Sequence, residues 1–104
     1  MTLQQAAQAL QQGATVNIRP RGNSMRPLIH SGQECVITPA VGQRIERGDV
    51  VLCKVRGRYL LHKVTGVSGR GSETVEYRIS NNRGRVNGWA PEHHVYGILT
   101  EVRP

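Results

Sequence analysis

Apolar and polar residues follow two different rhythms along this chain, and the change falls at Gly13. Before it, Leu3, Ala6, Ala7 and Leu10 recur at the spacing that lines one side of a helix, with mostly Gln between them. Thr2 stands where a helix cap belongs and Gly13 where a helix stops, so a helix is expected over 2–12, its apolar stripe packed on the sheet. After Gly13 the pattern is that of strands. Runs rich in Val, Ile, Leu, Thr and Tyr, bounded by Gly, Pro, Asn and Ser, predict strands at about 15–19, 34–38, 49–55, 59–67, 74–80 and 95–102. The short break Arg56-Gly57-Arg58 between two such runs reads as a hairpin turn. Val67 to Ser72 reads as a flexible hairpin tip. Asn82 to His94, with Trp89-Ala90-Pro91, is the longest segment expected to be irregular. The pattern predicts one mainly β domain over 1–104, a small bent sheet or partial barrel with one short N-terminal helix.

Two positions stand out against this frame. Ser24 lies in Arg21-Gly22-Asn23-Ser24-Met25-Arg26-Pro27, where Gly22 and Asn23 favour a tight turn and Pro27 prevents a regular helix or central strand just beyond. A hydroxyl on such a corner, backed by free backbone N–H groups, has what a serine nucleophile requires. It is also what an ordinary turn or N-cap serine looks like. His62 lies in the run Tyr59 to Val64. Strand alternation puts it on one face with Leu60 and Val64, and Tyr59, Leu61 and Lys63 on the other. A lone histidine on an apolar face is commonly a core residue; paired with Ser24 it becomes a candidate base.

These segments resemble the catalytic domain shared by signal peptidases and self-cleaving repressors of the LexA type. The resemblance rests on Gly22-Asn23-Ser24-Met25-Arg26-Pro27, on Gly32 and the strand 34–38, on Ile45-Glu46-Arg47-Gly48-Asp49-Val50-Val51 and on Leu61-His62-Lys63-Val64. It extends through Ile79-Ser80-Asn81-Asn82 and Val95-Tyr96-Gly97-Ile98-Leu99, covering roughly residues 16–102. It implies a serine endopeptidase of that fold, acting on an extended peptide or protein substrate with small residues at the cleavage position. The family uses lysine or histidine as base, and Leu61-His62-Lys63-Val64 is similar to the histidine form of the endoplasmic-reticulum and archaeal enzymes. That implies Ser24 and His62 as the catalytic pair, with Lys63 and Lys54 as weaker alternative bases. A neutral imidazole suits general-base work near pH 7 without the desolvation a lysine needs.

The chain departs from the family in three places. The histidine-type enzymes orient the imidazole with an aspartate; the corresponding stretch here is Ile79-Ser80-Asn81-Asn82, so Asn81 or Asn82 is expected to hold the ring by hydrogen bond. Gly22 stands where many relatives carry a hydroxyl for the oxyanion hole, leaving backbone N–H groups near Ser24 and Met25 for that role. No Ala-Gly or Cys-Gly pair precedes the serine, so self-cleavage of the repressor type is not expected. The rival reading is a weak or inactive peptidase-like module that binds a peptide, an acidic protein or nucleic acid without cutting.

Composition adjusts the picture modestly. The formal charge is +7, from 14 Lys and Arg against 7 Asp and Glu. Arginines cluster at 19, 21 and 26, at 56 and 58, and at 78, 83 and 85, which suits an acidic partner. With no Phe, one Trp and three Tyr, base stacking has little support, and nucleic acid is the less favoured partner. No Cys/His spacing suggests zinc, and no metal or cofactor is expected. Cys35 and Cys53 read as buried thiols in a reducing cytoplasm. The first ten residues lack the basic start and apolar core of a signal peptide, and no apolar run approaches the roughly 20 residues of a membrane span. A soluble cytoplasmic protein is the expectation.

Overall fold

Strand β3 is the axis of the molecule because it is apolar on both sides. The computed structural model describes residues 1–104: α1 (Leu3–Gln11), β1 (Val16–Ile18), β2 (Glu34–Pro39), β3 (Val50–Val55), β4 (Arg58–Ser68), β5 (Glu76–Ser80), β6 (Val86–Pro91), a 3-10 turn (Glu92–His94) and β7 (Val95–Arg103). The strands form one antiparallel sheet in the order β1-β2-β7-β3-β4-β5-β6, which does not close on itself. Val50 and Leu52 of β3 face one core, while Val51, Cys53 and Val55 face another. A strand covered on both faces reads as a continuous apolar run, which is how Val50 to Cys53 stands in the sequence.

The first core is covered by α1. Thr2 caps the helix, and Gln5 completes a capping box by returning a bond to the Thr2 backbone. Ala6, Ala7 and Leu10 are the buried stripe. They pack with Val16, Ile18, Cys35, Ile37 and Leu61, and with Met25 and Ile29 from the connection between β1 and β2. The approach to β7 is close. A Cβ on Gly97 would lie 2.6 Å from Ile37 Cγ2 and 2.7 Å from Leu10 Cδ1, so only glycine fits there. The second core lies inside the curl of β3 to β6, with Val64, Tyr77, Ile79, Ala90 and Val95 among its members. The curl brings β6 back to β3: a Cβ on Gly88 would meet Val55 Cγ1 at 3.0 Å.

The β3–β4 hairpin turns at Arg56 (φ 50°) and Gly57 (φ 79°), two positive angles in succession that match the twist of the flanking strands. Two expectations need correction. Residues 86–91, expected to be irregular, form strand β6, paired with β5 from Glu76↔Pro91 to Ser80↔Val86. As an edge strand it tolerates Gly88 and Pro91, which would have counted against a central one. At the hairpin tip, β4 continues to Ser68, and the turn beyond is pinned by Ser72, whose amide and hydroxyl both donate to Gly69 O. No helix is long and apolar enough to cross a membrane.

Candidate active site

Ser24 is presented by an irregular connection, residues 19–33, that is tied at its ends and clamped at its crown. Gly32 N donates to Pro20 O at 2.8 Å, and Arg19 Nη1 to Gly32 O at 3.0 Å. Gly22, at φ 114°, donates its amide to Ser31 Oγ at 3.1 Å. Met25 and Ile29 drop into the first core and anchor the crown from below. Ser24, beside Met25, is exposed. The amides of Ser24 and Met25 make no hydrogen bond within the fold. They are therefore free to donate to an oxyanion. Met25 contributes only this backbone group, because its side chain is buried.

His62 comes from the middle of β4, paired with Val51 of β3. The residue as a whole is only 9% exposed. Nε2 lies 3.1 Å from Ser24 Oγ, and Nδ1 lies 2.7 Å from Asn87 Oδ1. The Asn87 oxygen is an acceptor, so Nδ1 carries the ring proton and the Nε2 lone pair receives the serine O–H. Burial pushes the His62 pKa below its ordinary 6.5; the Asn87 hydrogen bond opposes this, and the nearby Arg58 charge adds to the lowering. The ring is neutral at pH 7, as a general base must be.

Asn87 was not among the expected site residues, and the expectation for Asn81 and Asn82 is corrected. The Asn81 carboxamide accepts from the amides of Arg83 and Arg85, shaping the β5–β6 turn. Asn82 grips the nucleophile loop: its amide donates to Ser24 O at 2.8 Å, and its Nδ2 to Arg26 O at 3.0 Å. Neither reaches the imidazole. β5 ends at Ser80, opposite Lys63, so the chain has turned away before it reaches His62. β6 then runs back and delivers Asn87 to the ring.

Lys63 points to the other face, and its Nζ donates to Asn82 Oδ1 at 3.0 Å. Lys54 Nζ sits 5.4 Å from the Tyr59 ring centroid. Ser24 Oγ bonds to His62 and to neither lysine. Asp49 has a structural role, its Oδ2 accepting from Glu46 N at 2.8 Å and its main chain pairing with Val64. No group of three or more His, Cys, Asp or Glu side chains is placed to hold a metal ion.

A cleft of about 30 Å³ lies beside the nucleophile, lined by Pro20, Arg21, Gly22, Ser24, Met25, Ile29 and Leu61. That is about one water's share of liquid volume. A cavity of about 670 Å³ lies elsewhere, between the end of α1, the β2–β3 connection and the start of β7. Neither Ser24 nor His62 lines it. The salt bridges of the chain engage Arg44, Arg70 and Arg103 with Glu46, Glu34 and Glu101. The arginines around the nucleophile loop (Arg19, Arg21 and Arg26) form none of them. No protein-family model, curated protein or solved structure matches the chain.

Proposed function

We propose that this protein is a serine endopeptidase of the signal peptidase/LexA-like type, working through Ser24, His62 and Asn87. One observation carries the reading. A single buried imidazole spans two side chains, 3.1 Å from Ser24 Oγ on one nitrogen and 2.7 Å from Asn87 Oδ1 on the other. A nucleophile, a base and a group that orients the base are the three parts of acyl-transfer catalysis by a hydroxyl.

In this reading an extended peptide lies along the sheet beside Ser24, by strand addition. As Ser24 Oγ attacks the scissile carbonyl, His62 Nε2 takes its proton. The carbonyl oxygen gains negative charge and is met by the free amides of Ser24 and Met25. His62 then returns the proton to the departing amine, and water repeats the sequence on the acyl-enzyme. The cleft beside Ser24 is small, about 30 Å³, in keeping with the cleavage preference the resemblance implies. Two free thiols in separate cores, Cys35 in the first and Cys53 in the second, suit a reducing cytoplasm. Burial pushes the Cys53 thiol up to about 12, so it is inert as a nucleophile.

A second reading has its own support. Asn87 is neutral and cannot stabilise an imidazolium as a carboxylate would, which favours a slow enzyme or a peptide-binding module. One experiment separates the readings. A serine-reactive covalent inhibitor is incubated with the purified protein, and the modified residue is read by mass spectrometry. Labelling at Ser24 that vanishes in His62→Ala is expected of the peptidase. A folded protein that takes no label at Ser24 is a binding module.

A further inference from the structure

A second cavity, about 630 Å³, opens where the β2–β3 connection crosses β4 and β5, and its wall carries Arg47, Lys63 and Arg78 around Gly48, Val64 and Thr65. Three cations share this space with no acid. None of the three takes part in a salt bridge. The nearby carboxylates are engaged elsewhere, Glu46 with Arg44 and Arg70, and Asp49 with the Glu46 amide.

Arg78 is held in place as a fixed donor. Its guanidinium lies across Gly66, where an added Cβ would sit 3.4 Å from Nε. Nε donates to Thr65 Oγ1 at 3.1 Å and Nη2 to Thr65 O at 2.8 Å, while Nη1 makes no bond within the chain. A planar donor fixed in this way loses little freedom on meeting a carboxylate. Lys63 joins this cavity to the nucleophile: it bonds Asn82, and Asn82 holds the main chain of Ser24 and Arg26.

We infer that the Arg47/Lys63/Arg78 cavity is a carboxylate-binding subsite, which takes an acidic group of the peptide whose backbone lies at Ser24. The inference rests on the peptidase reading for what occupies the site, and extends it to a substrate class: peptides with a small residue at the cut and a carboxylate a short distance along. A nucleic-acid phosphate is the competing anion. The peptide is favoured because the Lys63–Asn82–Ser24 hydrogen bonds put the wall of this cavity next to the turn that carries Ser24.

The test uses acetylated peptides with a central Ala, carrying Glu or Gln at each position on either side, with free or amidated C-termini. Their binding to Ser24→Ala protein is measured by fluorescence anisotropy, so cutting is not required. At one position the Glu peptide is expected to bind about 10-fold more tightly than its Gln counterpart, as a charge-assisted pair allows. That preference should fall to near unity in Ser24→Ala proteins also carrying Arg47→Gln or Arg78→Gln. Arg47 is exposed, so its replacement leaves the fold intact even if Arg78→Gln does not. A preference that follows the free C-terminus instead assigns the same pocket to a terminal carboxylate. Equal binding of all Glu, Gln, acid and amide peptides overturns the inference. So does an Arg47→Gln effect confined to a DNA duplex with a steep salt dependence. Failure of the parent protein to cut any peptide would sink the peptidase reading alone, because the binding ratio judges the pocket by itself.

Discussion

The two halves of the candidate catalytic pair are held in opposite ways. His62 is set in an 11-residue strand, hydrogen-bonded to a neighbour along its length, and is itself buried. Ser24 stands exposed on the connection 19–33, which has no regular structure, and is fixed by a few separate ties. The sheet gives the base its position as part of the fold. The nucleophile is placed by side chains gripping its loop: Met25 and Ile29 from below, Asn82 from the β5–β6 turn. A rigid base and a clamped nucleophile should fail differently when perturbed.

The largest effect is expected from the reacting groups themselves. Ser24→Ala or His62→Ala should each lower kcat/KM on a small-residue peptide by roughly 1000-fold or more, with little additivity in the double variant because the two act as a unit. Survival of activity in His62→Ala but not in Lys63→Ala would move the base to the other face of the strand and undo the comparison.

Next comes the ring's orientation. Asn87→Ala should cost about 100-fold in kcat by freeing the imidazole to adopt the wrong tautomer or rotation. Asn87→Asp should recover activity and move the acid limb of the pH profile upward, since an adjacent carboxylate favours the imidazolium. Loss of activity in both variants with an unmoved pH profile would show that Asn87 is merely structural.

A smaller effect, about 10-fold in kcat/KM, is expected for Asn82→Ala, which loosens the crown of the nucleophile loop without touching the ring. Its signature is an unchanged pH profile, in contrast to Asn87→Asp. A displaced acid limb in Asn82→Ala would mean that the loop and the strand are not separately held.

The smallest effect is the pH dependence of the unmodified protein. The folded pKa of His62 lies below 6.5, first because the ring is buried. The kcat/KM of the free protein should therefore rise with pH to a midpoint below 6.5. The linked stability has the same sign. Below 6.5 the unfolded chain binds the proton and the folded chain resists it, so stability is full above 6.5 and falls as the pH drops toward the folded pKa. Thermal melts between pH 7 and 5 check this, and an acid limb above 6.5 would contradict the burial of the ring.

Much of this arrangement was legible in the sequence, because the signals were local. Helical spacing and Thr2 located α1; the alternation in Tyr59 to Val64 put His62 and Lys63 on opposite faces, and His62 is the one that meets Ser24. What escaped was β6 and, with it, Asn87. Val86-Asn87-Gly88-Trp89-Ala90-Pro91 alternates only weakly: Trp89 is exposed, Ala90 is small, and Asn-Gly is more often a turn than a strand. Its strand state comes from pairing with β5 and from the curl that lays Gly88 on Val55, both set by residues distant in sequence. The resemblance pointed instead to Asn81 and Asn82, just past the end of β5, and not to the asparagine that the returning strand brings in space.

β7 has a further consequence, one of timing. The last strand in the chain lies at the middle of the sheet, between β2 and β3, and its register with β2 joins Glu34 to Arg103. A chain emerging from a ribosome can fold β3 to β6 as a local meander. Within the sheet, β1 and β2 pair with that meander only through β7. Closing so long a loop is entropically costly and slow compared with forming a hairpin. Ser24 and His62 thus lie on opposite sides of β7 in the strand order, and their 3.1 Å contact spans two parts of the sheet that β7 joins.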